Sequence, residues 1–261
     1  MMESKLKKVT STVKGRVIDA LKRSSPHANP DEAKLLCEVD ASFIDLYERG
    51  LAVTGTPDRG KNRRARFYNL LQFLGSTNGR AGAVAECGCW KGLSSYLMCE
   101  LLRQDNPSFS GDEFNLIDSF EGLSAPGEED VIRQRLVHDG KERLGKPFKS
   151  AGGYASSLGH IKDVLKSYPG ITYHHGWIPG VLHSIPERIY RFVHIDVDLY
   201  EPTYEAVKYF FPRLCTGGVL ICDDYGSLFW PGAKVAIDKY CAEAKISCVS
   251  LSSGQAFLLK D

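Results

Sequence analysis

The chain has 261 residues, of which 43% are hydrophobic and 25% charged, and its 33 basic and 32 acidic residues leave a formal net charge of +1. These proportions are those of a globular protein, and the length favours one large α/β domain with appendages over two complete domains. The near-neutral charge excludes recruitment of nucleic acid, an acidic partner or an anionic membrane by a global field, so function must come from a local site.

The first 80 residues predict helices around one basic segment. Helical periodicity covers Val9 to Leu21, Asp31 to Leu51 after an Asn-Pro start signal, and Arg63 to Leu74. Residues 54–66, TGTPDRGKNRRAR, predict a mobile exposed loop that enters the last helix. Because no aromatic residues are interleaved, a solvated loop or a clamp for an anionic substrate group is favoured over a nucleic-acid contact.

From residue 82, short apolar segments alternate with helical ones, which is typical of βαβ units around a parallel sheet. The predicted strands are Ala83 to Cys87, Glu113 to Ile117, Ile171 to His175, Phe192 to Val197 and Gly218 to Cys222. The predicted helices are Leu93 to Leu102, Ser156 to Tyr168, Thr203 to Phe211 and Lys234 to Ala244. The chain ends in two predicted strands that form a terminal hairpin, Ser247 to Leu251 and Gly254 to Leu259.

The predicted organisation is a helical cap or oligomerisation segment over residues 1–80 and a cofactor-binding domain over residues 81–261. Residues 122–153 interrupt the alternation with a charged segment, in which we expect an inserted helix between mobile ends. That segment is either a lid over a cleft or a solvated excursion. No apolar run predicts a signal peptide or a membrane span, and eight cysteines without a CxxC motif indicate free thiols, so we expect a cytoplasmic protein.

A strand, a tight turn with Gly88 and Gly92, and a helix follow one another at residues 83–102. Such a turn lets a nucleoside ligand approach the backbone, and Glu86 before it suits the amino acid part of S-adenosylmethionine better than a pyrophosphate. Asp118 is placed to hold a ribose diol or to cap a local turn, and Trp177 offers an apolar wall for adenine. The predicted cofactor contacts are Glu86, Gly88, Trp90, Gly92, Ser94, Asp118, Ser119, Phe120, Gly122, Gly176, Trp177 and Asp196.

Two buried strands end in acidic residues, one in Asp196 and Asp198 and the other in Asp223 and Asp224. Because the carboxyl ends of parallel strands meet at one edge of a sheet, we expect Asp196, Asp223 and Asp224 to hold a hard divalent cation such as Mg²⁺. Such a cation would bind a substrate hydroxyl and lower its pKa. Asp196 is the predicted general base, while Asp198 either orients the metal ligands from behind, accepts a proton, or caps the helix that follows it.

Four segments, AECGCWKG, IDSFEGL, HIDVDLYEPT and GGVLICDDYG, occur in this order and resemble the macrocin-type sugar O-methyltransferases. The resemblance covers roughly residues 63–245 and departs from the family at Leu93, where a further glycine is usual. It implies a class I methyltransferase fold, Rossmann-like, with a seven-stranded, mostly parallel sheet. It also implies S-adenosylmethionine as donor, Mg²⁺ at the three aspartates, a deoxysugar hydroxyl as acceptor, and a homodimer or larger homo-oligomer.

Three functions remain open from the sequence. The first is metal-dependent O-methylation of a glycosyl hydroxyl on a natural product or polysaccharide. The second is methylation of a catechol-like phenol, for which Tyr225, Phe229 and Trp230 would supply aromatic walls. The third is a noncatalytic sensor that binds S-adenosylmethionine and uses the aspartates as caps.

Overall fold

The computed structural model describes residues 35–261, so the helix predicted for Val9 to Leu21 lies outside the described residues. A 3₁₀ turn at Leu36–Glu38 precedes helix α1, Ala41–Thr54. Asp40 caps α1 because its carboxylate accepts hydrogen bonds from the amides of residues 42 and 43 at 3.0 and 3.1 Å. The helix predicted for Asp31 to Leu51 is therefore wrong for residues 35–40, which precede α1.

Helix α2, Lys61–Ser76, begins directly after Gly60, whose φ of 84° ends the preceding loop. The prediction of an exposed loop through residue 66 is wrong for residues 61–66, which form the first turns of α2. The predicted apolar stripe is confirmed, since Phe67, Leu70 and Leu74 are buried. The basic residues of this segment are consequently held at fixed positions along a helix.

The strands and helices of the main domain follow the predicted alternation. The strands are β1, Ala83–Cys87; β2, Phe114–Asp118; β3, Val137–His138; β4, Lys141–Glu142; β5, Thr172–His175; β6, Tyr190–Ile195; β7, Leu214–Cys222; β8, Val249–Ser250; and β9, Ala256–Leu259. The helices are α3, Leu93–Asp105; α4, Leu158–Val164; α5, Tyr200–Phe210; and α6, Pro231–Ala244. Two further 3₁₀ turns occupy Gly180–Ser184 and Phe211–Arg213.

Seven strands form one sheet in the order β5-β2-β1-β6-β7-β9-β8. The first five are parallel, and β9 pairs antiparallel with both β7 and β8. The predicted seven-stranded, mostly parallel sheet with a terminal antiparallel hairpin is thus confirmed. Strand β1 lies between β2 and β6, so the chain continues to one side of β1 through β2 and later crosses to the other side through β6. Open α/β sheets bind ligands at such a reversal, beside the carboxyl ends of the strands.

Both faces of the sheet are covered, which explains why the central strands are apolar without alternation. All five residues of β1 are buried. Val84 packs in the layer formed by α1 to α4, whereas Ala85 and Cys87 pack in the layer formed by α5 and α6. Within residues 35–261, no helix is long and apolar enough to cross a membrane.

The segment between β2 and α4 contains no helix at residues 122–153, so the prediction of an inserted helix is wrong. Its regular structure is the two-residue pairing of β3 with β4. Gly140, Gly145 and Gly152 have φ values between 68° and 79°, a conformation that interrupts a right-handed helix. The result is an irregular flap, defined here as residues 122–153, that reaches the carboxyl edge of the sheet.

Candidate active site

A cavity of about 560 Å³ lies at the carboxyl ends of the central strands. Most of the predicted site residues line it: Gly88, Trp90, Asp118, Ser119, Gly122, Gly176, Trp177, Asp196, Asp198, Asp223 and Asp224. The flap and helix α2 supply further walls. One cavity therefore joins the glycine turn after β1 to the acidic ends of β6 and β7.

The glycine turn lies against the end of β6. A Cβ atom added to Gly88 would be 2.0 Å from the carbonyl oxygen of Asp196, so no other residue fits there without backbone movement. The Asp196 amide in turn donates to the Cys87 carbonyl at 2.8 Å. This contact places the proposed cofactor turn directly beside the first aspartate of the acidic cluster.

Asp118 ends β2 and lines the cavity, but its carboxylate is also engaged locally. Oδ2 accepts a hydrogen bond from the Cys89 amide at 2.8 Å, and Oδ1 accepts one from the Phe120 amide at 2.7 Å. Each carboxylate oxygen has further lone pairs, so these bonds orient Asp118 and leave it able to accept from a diol. Trp177 is 44% exposed at the rim, where its indole N–H donates to the Gly122 carbonyl at 3.0 Å.

Four of the predicted cofactor contacts do not line the cavity: Glu86, Gly92, Ser94 and Phe120. Glu86 is fully buried, accepts a hydrogen bond from the Ser95 hydroxyl, and lies 3.0 Å from Nδ1 of His194. Its carboxylate thus points into the protein beneath the site rather than toward a ligand. The sequence suggested a direct contact because Glu86 is adjacent to the turn, but its strand position turns the side chain away.

Carboxylate oxygens of Asp196, Asp198 and Asp224 lie within 4.8 Å of one another. This set differs from the predicted one, in which Asp223 took the place of Asp198. Asp223 lies beside the cluster and accepts a hydrogen bond from the Gln255 side chain at 2.8 Å. The metal-ligand role predicted for Asp223 stays a prediction, and Asp198 is geometrically the better third member.

Arg66 of helix α2 forms ion pairs with Asp223 and, at 3.0 Å, with Asp224. Although burial opposes the charge on Asp223, Arg66 and His194 hold its pKa well below the usual range of a carboxyl group. Burial alone would lower the pKa of His194, but the Asp223 and Glu86 carboxylates raise it to about 10. Sequence analysis did not name Arg66 as a site residue, because it assigned the basic segment through residue 66 to an exposed loop that enters the helix predicted from Arg63.

Asp196 and Asp198 form no ion pair of their own among residues 35–261. Burial, followed by repulsion from the neighbouring carboxylates, raises the pKa of both Asp196 and Asp198 well above the ordinary value. Oδ2 of Asp224 is buried and has no hydrogen-bond partner among residues 35–261. An all-oxygen set with an unsatisfied buried oxygen and mutual repulsion is what a hard divalent cation such as Mg²⁺ fits.

An aromatic wall closes the opposite side of the cavity, and the flap contributes to it. Phe148 packs against Phe229 and Trp230, with ring centroids 4.8 and 5.3 Å apart, and His138 lies 5.2 Å from Phe229. Tyr154 extends the wall to Trp230 at 6.1 Å. Phe229 and Trp230 therefore occupy the position that the sequence predicted.

Tyr225, the third aromatic residue predicted for this wall, lies elsewhere. It does not line the cavity, and its hydroxyl donates to Asp238 at 2.8 Å. Phe148 of the flap and Tyr154 directly after it were missed, because nothing in the sequence indicates which way an irregular segment folds back.

The sheet order, the glycine turn after β1 and the ligand cavity at the strand ends define the fold of a class I methyltransferase. The solved structure of the O-methyltransferase NovP is similar, with a TM-score of 0.58 and 23% identity over 75% of this chain and 79% of that one. The structure of CalS11, a calicheamicin methyltransferase, matches with a TM-score of 0.61 and 16% identity over 89% of this chain and 99% of that one.

The chain belongs to the macrocin O-methyltransferase family, whose model matches residues 59–250. A tetracenomycin-C 4'-O-methyltransferase of Streptomyces olivaceus is 31% identical over 163 residues, which are 59% of this chain and 58% of that enzyme. Demethyldecarbamoylnovobiocin O-methyltransferase of Streptomyces niveus is 26% identical over 186 residues, covering 70% and 67%. The match to the first relative thus spans less than two thirds of its length. The family resemblance read from the four sequence segments is confirmed.

Proposed function

We propose that this protein transfers the methyl group of S-adenosylmethionine to a hydroxyl of a glycosylated small molecule, with the help of a divalent cation, Mg²⁺ by preference. The observation that carries this proposal is the convergence of Asp196, Asp198 and Asp224 in the cavity that Gly88 and Trp90 also line. A cation site and a donor site within one cavity of about 560 Å³ are what a metal-assisted methyl transfer needs.

In this proposal Asp196, Asp198 and Asp224 hold the cation, and Arg66 keeps Asp223 beside them as a charged neighbour. When bound, the cation would orient the acceptor hydroxyl and lower its pKa. Arg66 also limits the negative charge of the site, because its ion pairs with Asp223 and Asp224 neutralise part of the cluster. A divalent cation would then offset two of the three negative charges that remain on the four carboxylates.

Asp196 and Asp198 are the proposed proton acceptors for the acceptor hydroxyl. Both carboxylates line the cavity, so each can lie beside the hydroxyl of a bound acceptor. Asp198 has a φ of 62°, and a left-handed conformation at a non-glycine residue is costly enough to point to a functional constraint. Asp198 is not the N-cap of helix α5, because Leu199 occupies that position.

The donor would lie between the glycine turn and the rim. Gly88 permits close approach to the backbone, Asp118 is oriented to accept from a ribose diol, and Trp177 provides an apolar surface at the edge of the cavity. Glu86 acts from beneath by holding Ser95 and His194. The predicted direct contact between Glu86 and the donor is not part of the proposal.

The acceptor class comes from the relatives, whose names describe enzymes that methylate a rhamnosyl tetracenomycin, a novobiocin precursor and mycinamicin III. A glycosyl hydroxyl of a natural product is therefore the proposed acceptor. The wall of Phe148, Phe229 and Trp230 suits the apolar face of a sugar ring or an attached aglycone.

The metal and the reaction can be tested separately. Calorimetry with Mn²⁺ should show one site in the wild type and a loss of at least about tenfold in affinity for Asp224→Asn, because a carboxylate ligand is removed. Asp238→Asn is the matched control, since Asp238 is half-exposed and pairs with Lys234 away from the cavity. Equal Mn²⁺ affinity in both variants would reject the metal site.

Methyl transfer should be measured from labelled S-adenosylmethionine to a panel of deoxysugar glycosides and catechols, with and without a chelator. Turnover of glycosides that stops with chelator supports the proposal, and turnover of catechols alone would favour the phenol alternative. Binding of S-adenosylmethionine without any turnover would favour a sensor. The proposal includes a cytoplasmic homo-oligomer, and the eight free cysteines are consistent with a reducing compartment.

A further inference from the structure

The cavity carries a second, positively charged group of side chains that the proposed methyl transfer does not use. Arg59, Arg63 and Lys149 all line the cavity. Arg63 is on the first turn of α2, Arg59 directly precedes that helix, and Lys149 belongs to the flap. Three cations from two separate parts of the chain therefore face the same space.

These cations surround one pair of rings. The guanidinium carbons of Arg59 and Arg63 lie 5.2 and 5.6 Å from the centre of the Trp90 ring, and Nζ of Lys149 lies 5.4 Å from the Tyr154 ring. Trp90 and Tyr154 themselves meet edge to face with centroids 5.6 Å apart. The aromatic faces attract each cation, but they do not remove the repulsion among the three positive charges.

Within residues 35–261, no carboxylate lies in ion-pair distance of these three cations. Neighbouring arginines on the same helix are paired, Arg64 with Asp58 and Arg66 with the acidic cluster. Arg59, Arg63 and Lys149 form no ion pair with any carboxylate in residues 35–261. The Nε atom of Arg63 is also buried without a hydrogen-bond partner in that part of the chain.

Helix polarity makes this arrangement less favourable still. The amino end of α2 carries the positive end of the helix dipole, its first turn contains no acidic residue, and Gly60 provides no side-chain cap. Cations are disfavoured at such a position unless a negative charge is present. A bound anion would interact favourably with the positive end of the helix dipole and would reduce the repulsion between Arg59 and Arg63.

We propose that the acceptor is an anionic glycoside, and that Arg59, Arg63 and Lys149 bind its phosphate or carboxylate group. This inference rests on the proposed function and adds the charge of the substrate to it. The sugar hydroxyl would face the acidic cluster, while the anion would lie beside Trp90 and Tyr154 at the basic end of the same cavity. The cavity would thereby fix the direction in which the acceptor enters.

Ligand-observed magnetic resonance titrations can test the charge preference without any turnover. The probes are glucose 1-phosphate, glucuronic acid and neutral methyl glucoside, titrated into protein saturated with S-adenosylhomocysteine in excess chelator. The chelator prevents an anion from binding through a divalent cation, and the occupied donor site prevents it from replacing the donor carboxylate. Either anionic probe should bind at least about tenfold more tightly than methyl glucoside, and the stronger of the two identifies phosphate or carboxylate.

The variant pair Arg59→Gln with Arg63→Gln should remove this preference. Its matched control is Arg80→Gln with Lys146→Gln, which lowers the net charge equally at positions that do not line the cavity. The affinity of the anionic probes should fall at least about tenfold in the first double variant and should equal that of the wild type in the second. A circular dichroism spectrum and a melting curve show that each variant is folded.

Three results would overturn the inference. Equal binding of charged and neutral probes would show that the cations do not select the acceptor. Equal losses in both double variants would show a general charge effect, and a loss of S-adenosylhomocysteine affinity with unchanged probe binding would assign the cations to the donor carboxylate. Failure of the proposed function is distinct from these, because it appears as absent methyl transfer whatever the probes do.

Discussion

Replacing Arg66 by Met tests whether this buried arginine holds the acidic end of the cavity together. The side chains of Arg66, Asp223 and Asp224 are only 21%, 14% and 5% exposed, so the substitution leaves Asp224 without its ion pair and Asp223 with His194 alone. Removal of one partner from a buried ion pair costs about 3–5 kcal/mol, and we expect the lower end, about 3 kcal/mol, because Arg66 is one fifth exposed.

The assay is urea denaturation followed by circular dichroism, with the free energy of unfolding extrapolated to water. Arg64→Met is the control on the same helix, because Arg64 pairs with the half-exposed Asp58 and stacks over Tyr47. That variant should lose only about 1 kcal/mol. Saturating Mg²⁺ should stabilise Arg66→Met more than the wild type, since the cation supplies the missing positive charge to Asp224.

The reasoning is refuted if Arg66→Met loses no more stability than Arg64→Met in the presence of a chelator. That result would show that the acidic cluster does not depend on Arg66 for charge compensation. Equal stabilisation of wild type and Arg66→Met by Mg²⁺ would separately contradict the exchange of one cation for the other.

Three further predictions concern the glycine turn, a buried histidine and the cysteines. Gly88→Ala should lower the free energy of unfolding, measured in urea, by at least about 2 kcal/mol more than Gly92→Ala does. Both glycines have a positive φ, but only a Cβ atom at position 88 would meet backbone, at 2.0 Å. Equal losses in the two variants would contradict this prediction. Burial lowers the pKa of His174, so its neutral form adds stability above about pH 6.5 that is lost as the pH falls, and the advantage of wild type over His174→Gln should shrink below that pH. Thiol titration of the folded protein should modify the half-buried Cys215 and Cys248 before the six buried cysteines, and early modification of a buried one, checked by peptide mass mapping, would argue against this packing.

The sheet could be predicted from sequence because most of its strands lie in short, largely apolar runs between turn signals. Ala83–Cys87 was placed with the observed ends, and the acidic ends of β6 and β7 identified the edge at which the site lies. The rule that parallel strands present their carboxyl ends at one edge was sufficient to bring Asp196 and Asp224 together. These features depend on local pattern and on one topological rule.

The features that sequence analysis missed depend on side-chain direction and on contacts between distant segments. Arg66 falls within the helix predicted from Arg63, and it precedes the buried Leu70 and Leu74 by four and eight residues, so this periodicity puts it on the inward face of α2; the basic character of the segment alone suggested an exposed side chain. The exchange of Asp198 for Asp223 in the cluster follows from Arg66 and Gln255, which engage Asp223. The flap has no periodic pattern, so its fold over the cavity could not be read from its residues.

The close packing of Gly88 against the Asp196 carbonyl fixes the distance between the glycine turn and the acidic cluster. The glycine turn and the acidic strand touch through main-chain atoms, which have far less freedom than long side chains. The spacing between the glycine turn and the acidic cluster is thus set by the sheet, whereas the flap lies on the other side of the cavity and belongs to no strand of that sheet. Such a division lets one scaffold change its acceptor without re-aligning the atoms that react.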